Sequence, residues 1–191
     1  MREGYDGGMT DISDQSANTG ESSADHFPQS GRLAAVDYGT VRIGIAICDP
    51  DRILASPYEV YPASGPSKDA AYFKTLVKEE RVSGFVVGLP IHCDGGESQK
   101  SRECRTFARW LFEQTGVPVR LFDERFSTSA AKQRLSGGGL TRGRKKQRLD
   151  AVAALVLLES FLESSRYHGA IPGQSIHDQT DGGDSLSDDD N

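Results

Sequence analysis

Three acidic side chains, Asp37, Glu124 and Asp150, stand where carboxylates are costly without a charged partner. Asp37 directly follows the apolar run Leu33-Ala34-Ala35-Val36 and precedes Tyr38-Gly39-Thr40, the end of a buried strand entering a turn. Glu124 belongs to Asp123-Glu124-Arg125, which closes a second apolar run, Val117 to Phe122. Asp150 lies in the first turns of a closing helical pattern, directly after the basic run Arg142, Arg144, Lys145, Lys146 and Arg148. Like charges that converge are unfavourable unless a cation sits between them, and carboxylate oxygens select hard divalent ions, Mg²⁺ or Mn²⁺. Two such ions about 4 Å apart activate a water and stabilise the leaving oxygen of a phosphodiester. The expected catalytic and metal-binding set is therefore Asp37, Glu124 and Asp150. The expected nucleic-acid contacts are Arg42, Arg125, Arg142, Arg144, Lys145, Lys146 and Arg148.

Each of these residues also has a structural reading. Asp123, Glu124 and Asp150 can be surface or helix-terminal acids paired with Arg125 and Arg148. The basic run can be a solvated loop, and Asp37 can cap its turn through its own side chain. Asp123 and Glu124 point to opposite faces of a continuing strand, so only one of them can serve as a ligand.

The elements that must position these groups follow from periodicity. Val41 to Cys48 alternates, and with only a tight Gly39-containing turn before it the first two strands form a hairpin. Tyr58-Glu59-Val60-Tyr61 can add a third strand. Tyr72, Phe73, Leu76 and Val77 follow helical spacing, with an end expected near Gly84. Phe85-Val86-Val87-Gly88 suits a parallel strand covered on both faces. Cys104, Phe107, Ala108 and Leu111 form the stripe of a helix that stops near Gly116, and Val117 to Phe122 is the next strand. Ser127 or Thr128 can cap a helix through Leu135. A last helix is expected from about Arg144 to Leu162, burying Leu149, Val152, Ala153, Val156 and Leu157. Three antiparallel strands followed by alternating helices and parallel strands give a mixed α/β sheet of five strands flanked by helices. Ligands of such sheets bind outside the carboxyl ends of the strands, where both acidic strand ends fall.

Composition adds a partner class. Residues 1–30 and 168–191 are polar and acidic, with too few apolar side chains to offset ordering entropy, so disordered tails are expected around a single domain at 31–167. The tails hold 1 of the 22 basic and 12 of the 28 acidic residues, which leaves 21 and 16 in residues 31–167, a formal charge of +5. A basic domain hidden in an acidic chain suits an anionic partner such as nucleic acid. Cys48, Cys93 and Cys104 form neither a C-x-x-C pair nor an even disulfide framework, and His92-Cys93-Asp94 matches no common zinc spacing. With no apolar leader after Met1 and no membrane-length apolar stretch, a cytoplasmic protein with reduced thiols is expected.

Four blocks then resemble a known family. Val36-Asp37-Tyr38-Gly39 with Arg42-Ile43-Gly44-Ile45-Ala46, Val87-Gly88-Leu89-Pro90 with Asp94-Gly95, Phe122-Asp123-Glu124-Arg125-Phe126-Ser127-Thr128, and Leu149-Asp150-Ala151-Val152-Ala153-Ala154 resemble the YqgF family of pre-16S rRNA nucleases, relatives of RuvC-type Holliday junction resolvases. The blocks keep the family's order and span essentially all of 32–165. The resemblance implies an RNase H-like fold, divalent-metal phosphodiesterase activity and trimming of the 5′ end of precursor small-subunit ribosomal RNA. It gives the carboxylate roles to Asp37, Glu124 and Asp150. The strand ending at Gly88-Leu89-Pro90 offers no acid, unlike the wider RuvC-like pattern.

Other readings stay open at this point. Asp37-Tyr38-Gly39-Thr40 also resembles the phosphate-binding turn of actin-like ATPases, although those folds close two such domains around ATP. A non-catalytic ribosome-assembly factor would grip RNA phosphates through 142–148. Branched DNA is an alternative substrate to precursor ribosomal RNA or a ribosomal particle, and both monomer and homodimer are compatible with these functions.

Overall fold

The structure, a computed structural model, describes residues 27–90, 98–123 and 142–177, with 142–150 as helical backbone. Six strands and three helices are present among these residues: β1 (Arg32–Asp37), β2 (Arg42–Cys48), β3 (Ala55–Pro62), α1 (Pro66–Glu80), β4 (Val82–Leu89), α2 (Gln99–Thr115), β5 (Val119–Asp123), α3 (Arg142–His168) and β6 (Gln174–Ser175). They build one mixed sheet in the order β3-β2-β1-β4-β5-β6, with β1, β4 and β5 parallel and the remaining pairings antiparallel. The expected helix at 127–135 lies outside the described residues.

Two apolar cores sandwich the sheet. On one face Ala34, Val36, Ile43, Ile45, Phe85, Val87, Leu89 and Leu121 pack with Phe73 and Leu76 of α1 and Phe107 and Leu111 of α2. On the other, Leu33, Ala35, Ala46, Cys48, Val86 and Phe122 pack with Ala154, Leu157, Leu158, Phe161 and Leu162 of α3. Strand β2 is thus buried on both sides, and its small residues Gly44, Ala46 and Cys48 leave room for the long helix. Val41, expected to begin the alternation, is instead 71% exposed in the turn.

Local chemistry sets the helix ends. Pro66 starts α1, where its missing N–H is not needed, and Arg81 ends it in the left-handed region at φ 53. The helix therefore stops before Gly84, which lies within β4. A Cβ there would come within 2.9 Å of both Leu33 Cδ2 and Phe27 Cζ, so this glycine admits the Phe27 ring. Helix α2 starts at Ser98, whose hydroxyl accepts from the Ser101 N–H at 3.0 Å, and ends at Gly116, φ 67. Helix α3 runs beyond the expected bounds at both ends. Its deepest stripe is Ala154, Leu157, Leu158, Phe161 and Leu162, so Val152 and Ala153 flank the contact while Val156 and Leu157 are buried as expected.

The sheet has one strand more than expected. β6 pairs with β5 through Arg120 to Ser175 and Leu121 to Gln174, inside the segment whose composition suggested a tail. Gly173 (φ 85) makes this possible, because a Cβ would stand 2.4 Å from the Leu121 carbonyl oxygen. Ile176 then enters the core beside α2. Two residues of strand and one isoleucine are too short a signal for periodicity to register.

Candidate functional site

Asp37 is the last residue of the central strand, at the edge where the parallel strands β1, β4 and β5 all end. Val36 faces the α1/α2 core, so alternation turns Asp37 to the α3 side. Gly44 is its cross-strand partner on β2, and Gly88 follows the Val36 to Val87 pairing on β4. The carboxylate is therefore flanked on its own face by two residues without side chains, in the row Gly44, Asp37, Gly88, Phe122. Such a row leaves space beside the acid for a ligand.

Tyr38, pointing the other way, anchors the turn. Its ring stacks on Phe107 at 4.3 Å between centroids, Lys100 Nζ lies 4.9 Å above the ring, and the same ammonium donates to the Tyr38 carbonyl at 2.7 Å. Burial, with Glu103 nearby, raises the pKa of its hydroxyl. Gly39 completes the turn, since a Cβ there would stand 2.4 Å from the Arg42 carbonyl oxygen. Lys100, Gly44 and Gly88 join the site only through the fold, the glycines by adjacency in the sheet and Lys100 by the packing of α2 against the hairpin.

The other expected residues divide into placed and unplaced. Arg42 opens β2 on the same face as Asp37, two residues from Gly44. Asp123 ends β5 opposite Leu89, which is buried in the α1/α2 core, so it occupies the face away from Asp37. Phe122, on the α3 face, packs edge-on against Phe161 at 5.5 Å. Glu124 and Arg125 lie outside the described residues, as does the His92-Cys93-Asp94 cluster. Arg142, Arg144, Lys145, Lys146, Arg148 and Asp150 lie within the first nine positions of α3, described as helical backbone. Among the described residues no three His, Cys, Asp or Glu side chains converge.

The reach of α3 can be read from its far end. Leu162, Ser165 and Arg166 border a cavity with Gln29, Asp51 and Arg52, beside the start of β1. Position 150 is twelve residues back, about 18 Å along the helix. β1 advances about 17 Å from Arg32 to Asp37. The helix packs over β2, β3 and β1, and from its far end back to position 150 it is long enough to match the length of β1. No helix among the described residues is long and apolar enough to cross a membrane.

Residues 31–164 match the RuvX family, described as "Holliday junction resolvase". A protein of Rhodopirellula baltica named "Putative pre-16S rRNA nuclease" is 65% identical over 156 residues, covering 82% of this chain and 90% of that relative. A Streptomyces avermitilis protein of the same name is 40% identical over 147 residues, 76% of this chain and 94% of its own length. Among solved structures, that of T. thermophilus RuvC in complex with Holliday junction substrate matches with a TM-score of 0.51 at 15% identity, covering 74% of this chain and 99% of that one. At that identity the likeness is one of fold.

Proposed function

The chain belongs to the RuvX family, a family of phosphodiester-cleaving nucleases, and from that premise we propose that it is a metal-dependent endonuclease that trims the 5′ end of precursor 16S ribosomal RNA in the cytoplasm. The observation that carries this reading is the placing of Asp37 at the carboxyl edge of the sheet, with Gly44 and Gly88 on either side of it on the same face.

Asp37, Glu124 and Asp150 would hold the metal. This reading requires Glu124 to reach the face shared by Phe122 and Asp37, since Asp123 faces α1 and α2. Strands β1 and β5 are two strand spacings apart, about 10 Å, a span that an Asp and a Glu side chain can bridge towards a shared site. An all-carboxylate donor set without sulfur or imidazole fits Mg²⁺ or Mn²⁺, and the glycine row supplies the room. When bound, such ions neutralise the phosphate and lower the pKa of a water. Asp37, fixed to the central strand, orients the site with little freedom. The sheet floor of Ala35, Ala46 and Val86 excludes water beneath it. Arg42 and the cations of 142–148, with Arg125, would hold the phosphates on either side of the scissile bond.

The test is cleavage of a labelled precursor ribosomal RNA fragment beside a four-way DNA junction, with Mn²⁺ or EDTA, by the parent and by Asp37→Ala. The expected result is metal-dependent cutting of the RNA that Asp37→Ala abolishes while remaining folded. Equal cutting by Asp37→Ala refutes the assignment of the site. Salt-sensitive RNA binding without cutting transfers the reading to an assembly factor. A second substrate, branched DNA, is favoured by the family's description, and preferential cutting of the junction would establish it.

A further inference from the structure

A groove of about 540 Å³ opens on the opposite side of the hairpin from Asp37, between the first turns of α1 and α2. We propose that it receives one unpaired base of the substrate strand, next to the phosphate to be cut. The inference rests on the reading of the Asp37 edge as the cleavage site. It adds a recognition subsite that the carboxylate chemistry does not require.

Three properties of the groove select a base. The first is an aromatic lining: Tyr38, Phe107 and Trp110 all border the groove, and while the Tyr38 ring packs between Phe107 and Lys100, Trp110 is only partly buried. A partly exposed indole stacks nucleobases irrespective of sequence. The second is charge. Two carboxylates, Asp69 and Glu103, and one guanidinium, Arg102, are among the lining residues. That balance disfavours a phosphate and supplies acceptors for the amino edge of a base. Asp69 is held rigid by the Tyr61 hydroxyl and the Ser64 N–H, each donating to Oδ1 at 2.9 Å. The third is position. Tyr38 is the residue after Asp37, so the groove's wall begins one Cα step, about 3.8 Å, from the proposed metal ligand. A strand crossing the sheet edge can therefore place a phosphate on one face and a neighbouring base on the other. The volume is that of a single small-ligand site, whereas a stable contact with a second copy of the chain needs a far broader surface.

Trp110 is the single tryptophan of the chain and reports on the groove directly. The full-length protein, in EDTA, is titrated with a short single-stranded RNA and with the same RNA carrying abasic sites. The expected result is saturable quenching of Trp110 fluorescence, with affinity lowered about tenfold by removal of the bases. Thr106→Phe, an exposed position on α2 that borders the groove, should fill it and remove the quenching. Glu103→Gln should reduce the advantage of amino-bearing bases over uracil while keeping the thermal transition of the parent. Equal quenching by abasic RNA, or quenching unchanged in both variants, overturns the proposal. So does self-association in the absence of RNA that Thr106→Phe disrupts, which would assign the groove to a second copy. Because the titration needs no cleavage, a negative result here alongside Asp37-dependent cutting rejects the groove alone. Base-dependent quenching without cutting keeps the groove and rejects the nuclease reading.

Discussion

Lys100 ties the start of α2 to the hairpin that carries Asp37, and its removal gives a sharp test of how rigidly the acid is held. Replacing it by methionine keeps the stem that packs over Tyr38 and deletes the ammonium. The hydrogen bond to the Tyr38 carbonyl, 2.7 Å and part-buried, has a charged donor, a class worth about 1.5–3 kcal/mol. The contact over the ring at 4.9 Å adds about 0.5–1 kcal/mol at a half-exposed site. Water can replace part of the carbonyl's bond at this partly open position, so the net cost is about 1–2 kcal/mol. In a domain of this size that lowers Tm by about 3–8 °C. The loss is local to the turn, so Lys100→Met should also release the end of β1 and reduce kcat about tenfold with KM nearly unchanged. The assay pairs thermal unfolding with Mn²⁺-dependent cleavage at saturating and limiting substrate. Lys100→Arg, which retains a cation and a donor, should recover most of both losses. A KM rise with unchanged kcat would show that Lys100 binds a phosphate rather than positions the hairpin. Unchanged Tm and kcat together would refute the strut altogether.

Two further perturbations follow from the same geometry. Gly39→Ala forces a Cβ to within 2.4 Å of the Arg42 carbonyl, so the turn must open. Chemical denaturation should show a loss of about 1–3 kcal/mol, with cleavage falling further than stability. Asp49 accepts backbone N–H groups from Leu54 at 2.5 Å, Ile53 at 2.8 Å and Asp51 at 3.2 Å, and the Leu54 bond is the first cause of its lowered pKa. A carboxylate with a folded pKa below its ordinary 3.8 stabilises the fold above that pH and loses the contribution as pH falls through the folded value. Asp49→Ala should therefore be less stable than the parent at neutral pH, and the gap should close below about pH 3.8 in a pH series of unfolding midpoints.

What the sequence determined and what it left open divide along a physical line. The apolar run ending in Asp37, the alternation after Gly39, the apolar stripe that stops near Gly116 and the long closing helix are local patterns, and each became the expected element. Backbone periodicity and capping chemistry act over a few residues, so a linear reading captures them. Gly84 shows where such a reading fails. It resembles a helix stop, yet its small size is required by Phe27, more than fifty residues earlier in the chain. β6 fails for the same reason, since its pairing with β5 depends on a carbonyl that Gly173 must approach.

The site shows the division most clearly. Sequence alternation establishes that Asp123 and Phe122 occupy opposite faces, and that Asp37 and Val36 do too, but it cannot say which faces coincide. That depends on register between strands separated by fifty to ninety residues, and on which helices cover each side. Only the packing of Val36, Val87 and Leu89 under α1 and α2, with Phe122 under α3, gives Asp37 and Asp123 to different faces and sets glycines on both sides of Asp37. Residue type and strand position are written in the chain. Which acids share a face is decided by the burial of their apolar neighbours, a property of the assembled sheet.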